Sequence, residues 1–269
     1  MIVAEVGSNW KTQDDLFSSI EAAAECGADA VKFQLWDQLY SRNRAPLQWE
    51  AAQEWRLPVE QCEELVYKCR SCKIQFHLTI FNPDLYDKLV LAPDAVKVAS
   101  GDLTYHDLLQ KAAKFSDRHG VPLVLSTGTH TQTEIDNAVG DVMDITDNII
   151  ILNCVSLYPA STDLYDLQWP MRYRGLAGLG ISDHTLGSEL ARQASMMASY
   201  TWFEKHFRLE HLTDTPDAPH SLTPAQFRAY VEVIRATEER FLADKVVHPA
   251  EQDERRWMHR GKDGLRPKC

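Results

Sequence analysis

"IVAEVGSNW", residues 2–10, decides between two folds. Its first six residues form an apolar, β-branched run that closes on a glycine, the pattern of a buried strand. An open, doubly wound sheet would follow such a first strand with the phosphate turn G-x-G-x-x-G, and "EVGSNW" lacks it. A closed (β/α)8 barrel needs no such turn. The same strand signature recurs in "AVKFQL" (30–35), "IQFHLTI" (74–80), "AVKVAS" (95–100) and "LVLSTG" (123–128). It continues in "IIILNCVS" (149–156), "GLGIS" (178–182) and "TWFEKHF" (201–207). Helical patterns such as "DDLFSSIEAAAEC", "YHDLLQKAAKFSDRHG" and "TPAQFRAYVEVIRATEERFLADK" lie between or after them. The sixth helix is the weakest, because a proline interrupts "STDLYDLQWPMRYRG" (161–175). Eight strands, each followed by a helix, predict an α/β TIM (β/α)8 barrel as a single domain over 1–245, with a tail over 246–269.

Composition narrows the function classes. With 269 residues, 44% of them hydrophobic, the chain can build one large core. A formal net charge of −11 argues against a nucleic-acid partner, which requires clustered Lys and Arg. No apolar run reaches membrane-spanning length and no charged leader precedes "MIVAEVGSNW", so a cytoplasmic protein without membrane contact is expected. Six scattered cysteines do not form a secreted disulfide framework. Cys69 and Cys72 have CxxC spacing, but Cys62, Leu65, Cys69 and Cys72 recur at helical intervals and read as one buried helix face rather than a zinc or redox site.

Strand parity locates the candidate site. Residues two apart share a face, so Lys32 pairs with Gln34, Ser156 with Tyr158, Ser182 with His184 and Glu204 with His206. Their apolar neighbours of opposite parity suit the helix-facing side, with Lys205 the exception. Glu5 and Lys97 add charges within apolar strands, and buried charges must pair with one another, a metal or a ligand. Lys32 and Lys97, with Ser100, Ser126 and Ser182 and the backbone of "STG", form a cradle for phosphate or carboxylate. His184 and His206, at the ends of adjacent strands, supply two imidazoles for one divalent transition metal.

"VAEVGSN", "GADAVKFQ", "VKVASGDLT", "LSTG", "NCVSLYPA", "GISDHTLG", "EKHF" and "TPDAPHSLTPAQF" resemble, in order and spacing, the barrel domain of the sialic acid (N-acetylneuraminate) synthase family. The resemblance runs from residue 2 to about 240. It implies a synthase that condenses phosphoenolpyruvate with the aldehyde of an N-acyl amino sugar, releasing phosphate by C–O cleavage. It implies a divalent metal, Mn2+ or Mg2+, on His184 and His206, with Glu5 and His206 as catalytic residues. Lys32, Lys97, Ser100, Ser126, Ser156 and Ser182 match phosphoenolpyruvate positions, Ser156 replacing the usual asparagine. Gln34, Tyr158 and Asp217 match sugar contacts, and a homo-oligomer, a dimer, is implied as well.

Two departures bear on the acceptor. Asn9-Trp10 stands where the family usually reads Asn-His, and the sequence stops at Cys269, where a C-terminal antifreeze-like domain would begin. In the family that domain lends an arginine to the neighbour's sugar site, so Arg255, Arg256 and Arg260 of the tail are candidates to replace it. "WDQLYSRNRAPLQWEAAQEW" (36–55) either stacks on a different acceptor or packs on the barrel. Two other functions fit the same residues: a metal-dependent aldolase or lyase joining pyruvate to an aldehyde, and a non-catalytic barrel that binds a phosphorylated ligand. Retention of Glu5 with both histidines weighs against the second.

Overall fold

A computed structural model describes residues 1–242 and 249–251. Its eight strands are β1 (Ile2–Glu5), β2 (Ala30–Leu35), β3 (Gln75–Ile80), β4 (Ala95–Val98), β5 (Leu123–Ser126), β6 (Ile149–Cys154), β7 (Gly178–Asp183) and β8 (Tyr200–His206). All pair in parallel and in chain order, and β8 closes on β1, so the barrel expected from the sequence is present. The helices are α1 (Gln13–Glu25), α2 (Pro46–Glu54), α3 (Gln61–Ser71), α4 (His106–His119), α5 (Gln132–Met143), α6 (Glu189–Ser195) and α7 (Pro224–Leu242). Capping boxes start α1 at Thr12/Asp15 and α5 at Thr131/Glu134, each satisfying orphan N–H groups of the first turn.

One helix per strand is not observed. β3 is followed only by the 3-10 turn Pro83–Lys88, and β6 only by the turns Thr162–Leu164 and Trp169–Tyr173. Pro170, inside 161–175, removes an N–H donor that an α-helix running through that segment would use. The segment after β2 instead carries two helices, α2 and α3. The chain divides into two compact units, Met1–Thr237 and Glu238–Cys269; everything described below concerns the first. The tail arginines 255, 256 and 260 lie outside the described residues. No described helix is long and apolar enough to cross a membrane.

The barrel has two cores. Between strands and helices lies the larger one, which includes Ile2, Val31, Phe33, Phe76, Leu125, Ile181 and Phe203. Inside the barrel, Val3, Ala30, Ala95, Val124, Ile150, Leu152 and Trp202 fill the N-terminal end. The His77 ring stacks on Trp202 above them, centroids 5.3 Å apart. Gly180 admits the indole strand, since a Cβ there would lie 2.1 Å from the Trp202 carbonyl oxygen. This plug leaves only the C-terminal end of the barrel open for polar side chains.

The cysteines behave as core. Cys62 and Cys69 are buried on α3, and burial pushes the Cys62 thiol up to about 12 and the Cys69 thiol up as well. A thiol held protonated is a poor ligand or nucleophile. Five free cysteines and no disulfide are found among the described residues.

Candidate active site

Parallel register sets the inward residues side by side. Glu5 is level with Lys32 on one side and His206 on the other; Gln34 is level with Thr79, Thr79 with Lys97, and Ser182 with Glu204. Neighbouring strands lie about 4.8 Å apart, so each rung brings its polar atoms within hydrogen-bonding reach. A cavity of about 360 Å³ results, lined by Glu5, Lys32, Gln34, Lys97, Ser100, Ser126, Tyr158, Ser182, His184 and His206. Ser156 is not on its wall but lies one step behind, its Oγ 2.9 Å from Ser100 Oγ. Asp217 lines a wider outer cavity of about 1180 Å³, together with Gln34, Tyr158, His206 and His220.

Four charges meet at the floor. Lys32 Nζ lies 2.5 Å from Glu5 Oε2 and 3.7 Å from Glu204 Oε2, and donates to Thr79 Oγ1 at 2.7 Å. Lys97 Nζ donates to Glu204 Oε1, which Ser182 Oγ also contacts at 3.1 Å. Gln34 Nε2 donates to Glu5 Oε1 at 2.7 Å. All four charged groups are buried. Burial favours the neutral form of Glu204, but the Lys32 and Lys97 ammoniums outweigh it and hold that carboxyl at about 2. Glu5 goes the other way: burial raises its carboxyl above the ordinary range, with the Lys32 charge only partly offsetting it. Burial opposes the Lys32 charge, yet Glu204 and Glu5 together hold the ammonium above its ordinary value. Two carboxyls a few ångströms apart are thus pushed in opposite directions, Glu204 toward the fixed anion and Glu5 toward its protonated form.

Across the mouth stand the imidazoles. His184 Nδ1 donates to the Val155 carbonyl at 2.7 Å, and its Nε2 lies 3.3 Å from Ser182 Oγ. Burial, then His206, lower the His184 imidazole to about 3; burial, then His220, hold His206 well below its ordinary value. His184, neutral and with one nitrogen committed to a backbone carbonyl, is oriented as a metal ligand is, and His206 is neutral beside it. The His184 and His206 ring centroids are 5.7 Å apart, and the half-exposed Tyr158 ring leans on His184 at 4.2 Å. Ser126 Oγ, buried on the cavity wall, has no hydrogen-bond partner among the described residues. A donor left open in this place suits an anionic ligand.

The exception to parity is resolved outside the barrel. Lys205 Nζ lies 3.0 Å from Asp183 Oδ1, donates to the Thr185 carbonyl, and sits 5.6 Å from the Tyr230 ring centroid. Asp183 Oδ1 also accepts from Thr185 N at 2.9 Å and Thr185 Oγ1 at 2.7 Å. This outward clamp fixes the turn after β7 and with it the His184 side chain between its arms.

The segment 36–55 both packs and lines a cavity. Trp36 and Trp55 are buried, Trp36 Nε1 donates to the Ala52 carbonyl at 3.2 Å, and Arg42 lies 4.9 Å above the Trp49 ring. Yet Trp36, Tyr40 and Trp55 also wall a cavity of about 650 Å³ that shares Gln34 and Asp217 with the site.

Sequence reasoning missed several members. Thr79 and His77 were findable, because β3 parity puts both on the inward face. The sequence marks Glu204 as an inward charge and gives it no further role. His220 sits in the 3-10 turn Ala218–His220, where no periodicity marks it. One consequence is measurable. Burial, then the Lys32 charge, push His77 from its ordinary 6.5 down to about 3. Between those values the unfolded chain binds a proton that the folded protein does not, so stability falls as pH drops through that window. His77→Gln is expected to flatten this fall, read as the urea midpoint between pH 7 and pH 4.

The NeuB family profile matches residues 19–245. An uncharacterized protein of Methanocaldococcus jannaschii is 33% identical over 94% of this chain and 75% of its own length. The N,N'-diacetyllegionaminic acid synthase of Legionella pneumophila is 32% identical over 88% of this chain and 72% of its own. In structure, the N-acetylneuraminic acid synthetase of Leptospira borgpetersenii superposes with a TM-score of 0.82 at 24% identity, covering 94% of this chain and 89% of that one, a likeness of fold. With the profile match spanning most of the barrel and relatives above 30% identity aligned along nearly its whole length, the chain belongs to the NeuB family.

Proposed function

We propose that the protein is a metal-dependent synthase that joins phosphoenolpyruvate to the aldehyde of an N-acyl amino sugar or related acceptor, forming a sialic-acid-like 2-keto acid and releasing phosphate. The observation that carries this reading is the floor of the inner cavity, where Lys32 and Lys97 share one fixed anion, Glu204. Two ammoniums here face one carboxylate held as the anion and a second whose proton affinity is raised, and the open Ser126 hydroxyl adds a neutral donor. Such a cradle binds a compact phosphate or carboxylate. It gives pyruvate, which lacks the phosphate, less to hold.

Each residue then has a physical task. Lys32, Lys97, Ser126 and Ser182 orient the phosphoenolpyruvate anion, with Ser100 on the wall and Ser156 behind it, 2.9 Å from Ser100 Oγ. Glu5, raised by burial and steered by Gln34 and Lys32, moves the proton at the acceptor carbonyl or directs water to the carbon that loses phosphate. Gln34, Tyr158 and Asp217, at the border of the inner and outer cavities, hold the acceptor. His184 and His206, both neutral, are the pair that would hold Mn2+ or Mg2+. When bound, that ion polarises the acceptor carbonyl oxygen. The reading includes a barrel domain over 1–245 and a homodimer, the latter checked by mass in solution.

Calorimetry with phosphoenolpyruvate tests the cradle. Lys97→Ala is expected to weaken binding by about 1.5–3 kcal/mol, the worth of a hydrogen bond to a charged group. An affinity equal to the parent's would remove the floor of the barrel from ligand binding.

A further inference from the structure

Outward from the floor, the lining of the site changes sign. The inner cavity holds both lysines, Lys32 and Lys97. Among the described residues, no Lys or Arg lines the outer cavity or the side cavity of about 650 Å³ that shares Gln34, Leu39, Tyr40 and Asp217 with it. Two carboxyls line that space instead, Asp102 and Asp217. A phosphate ester carries a charge of about −1.5 to −2 near neutrality and is held by Arg and Lys. In the outer and side cavities it would meet acids.

The side cavity is walled by one face of α2. Gln48, Ala51, Ala52 and Trp55 all line it, and their intervals of three and four place them on that face. Of the nine residues of α2 only Ala52 is buried, so the helix turns this face to the cavity rather than to a core. Alanine at two of the four positions leaves the space open. Trp36 and Tyr40 extend the aromatic wall. The Trp36 indole gives its N–H to the Ala52 carbonyl at 3.2 Å and has no other donor to offer. Its ring meets Phe81 edge-on, centroids 6.0 Å apart, and Phe81 lines both the inner and the outer cavity.

One polar atom of that wall is unspent. Ser8 lines the side cavity and is 8% exposed, and its Oγ has no hydrogen-bond partner among the described residues. Its backbone N–H is committed to Asp217 Oδ2 at 2.8 Å, which ties the residue to the acceptor side of the site. A buried hydroxyl left unpaired is unfavourable, and a ligand that pairs it is favoured. A secondary amide has one donor and one acceptor beside an apolar chain, so it satisfies Ser8 Oγ while the chain covers the aromatic wall.

We infer that the acceptor is an uncharged N-acyl sugar, free of phosphate ester, whose acyl arm lies in the side cavity against α2, Trp36 and Tyr40 with its amide on Ser8 Oγ. The inference rests on the proposed function for the sugar itself. It adds the acceptor's charge, the seat of its acyl arm and a role for Ser8.

Calorimetry on the full chain with phosphoenolpyruvate present tests it, using a panel of N-acetyl amino hexoses reduced to alditols, which cannot react. The tightest binder is compared with its terminal phosphate ester and with its N-propanoyl and N-butanoyl homologues. The phosphate ester is expected to bind at least about 10-fold more weakly, because it meets like charge. Each methylene added to the arm should tighten binding by about 4-fold, the worth of a buried methylene. Ser8→Ala should weaken the N-acetyl ligand by about 3- to 10-fold, one hydrogen bond. Ala51→Leu, at an exposed position, should abolish the gain from longer arms. Circular dichroism establishes that each variant is folded, and Ala51→Val replaces Ala51→Leu if it is not. Equal or tighter binding of the phosphate ester overturns the inference. So do arms that weaken binding as they lengthen, parental behaviour in both variants, or a parent that binds none of the sugars. The expected binding with no phosphate released from the matching aldehydes leaves the inference standing and overturns the proposed synthase. Release with a phosphorylated aldehyde preferred does the reverse.

Discussion

Glu5→Gln is expected to stop phosphate release from phosphoenolpyruvate while leaving phosphoenolpyruvate binding nearly intact. Glutamine matches the shape of the carboxylate and can still meet Gln34, but it cannot carry a proton. Lys32 keeps Thr79 at 2.7 Å and Glu204 at 3.7 Å, so the cradle survives the change. Positioned acid–base groups contribute about 10²- to 10⁴-fold, and the loss should appear in kcat rather than in the affinity for phosphoenolpyruvate. Calorimetry beside a phosphate assay separates the outcomes. Normal turnover in this variant would show that the raised carboxyl is no part of the chemistry. Loss of binding together with turnover would reduce Glu5 to a counterion for Lys32.

Glu204→Gln is expected to be the most destabilising single change in the barrel interior. It leaves Lys32 and Lys97 buried without the anion they share, with Glu5 the one carboxylate still facing Lys32. Breaking a buried ion pair from one side costs about 3–5 kcal/mol, since the remaining charge is uncompensated. Replacing both partners costs less than the two single losses combined. Lys97→Met with Glu204→Gln should therefore be more stable than the sum of the single variants indicates, a coupling read from urea midpoints. Additive losses would mean that Lys97 and Glu204 do not depend on each other.

The fold was legible because a barrel repeats one local signal eight times. Each strand is apolar and β-branched, and each ends in polar residues of inward parity, as Lys32 and Gln34 do on β2 and Glu204 and His206 on β8. What replaced the helices after β3 and β6 was not legible in detail, because a 3-10 turn answers to the space available rather than to a period. Within the site, strand parity and family motifs marked most residues, whereas Thr79 and His77 on β3 and His220 on a turn receive no role from either. His220 lies in the turn Ala218–His220, its ring 4.6 Å from that of His206, beside Ser221, whose Oγ accepts from Asn9 Nδ2 and donates to the Asp217 carbonyl. The pairing of Lys97 with Glu204 spans 107 positions, from β4 to β8, and follows from closure of the barrel rather than from any spacing in the chain. Lys205 broke parity in the sequence because its partners, Asp183 and Tyr230, belong to the outer layer.

The most direct measurement is phosphate release from phosphoenolpyruvate by the purified full chain, with a panel of N-acyl amino-sugar aldehydes, in the presence and absence of Mn2+. The account predicts release that requires both the ion and one class of aldehyde, with one 2-keto acid formed per phosphate. Condensation of pyruvate at a comparable rate, or tight phosphoenolpyruvate binding with no release for any aldehyde, would contradict it.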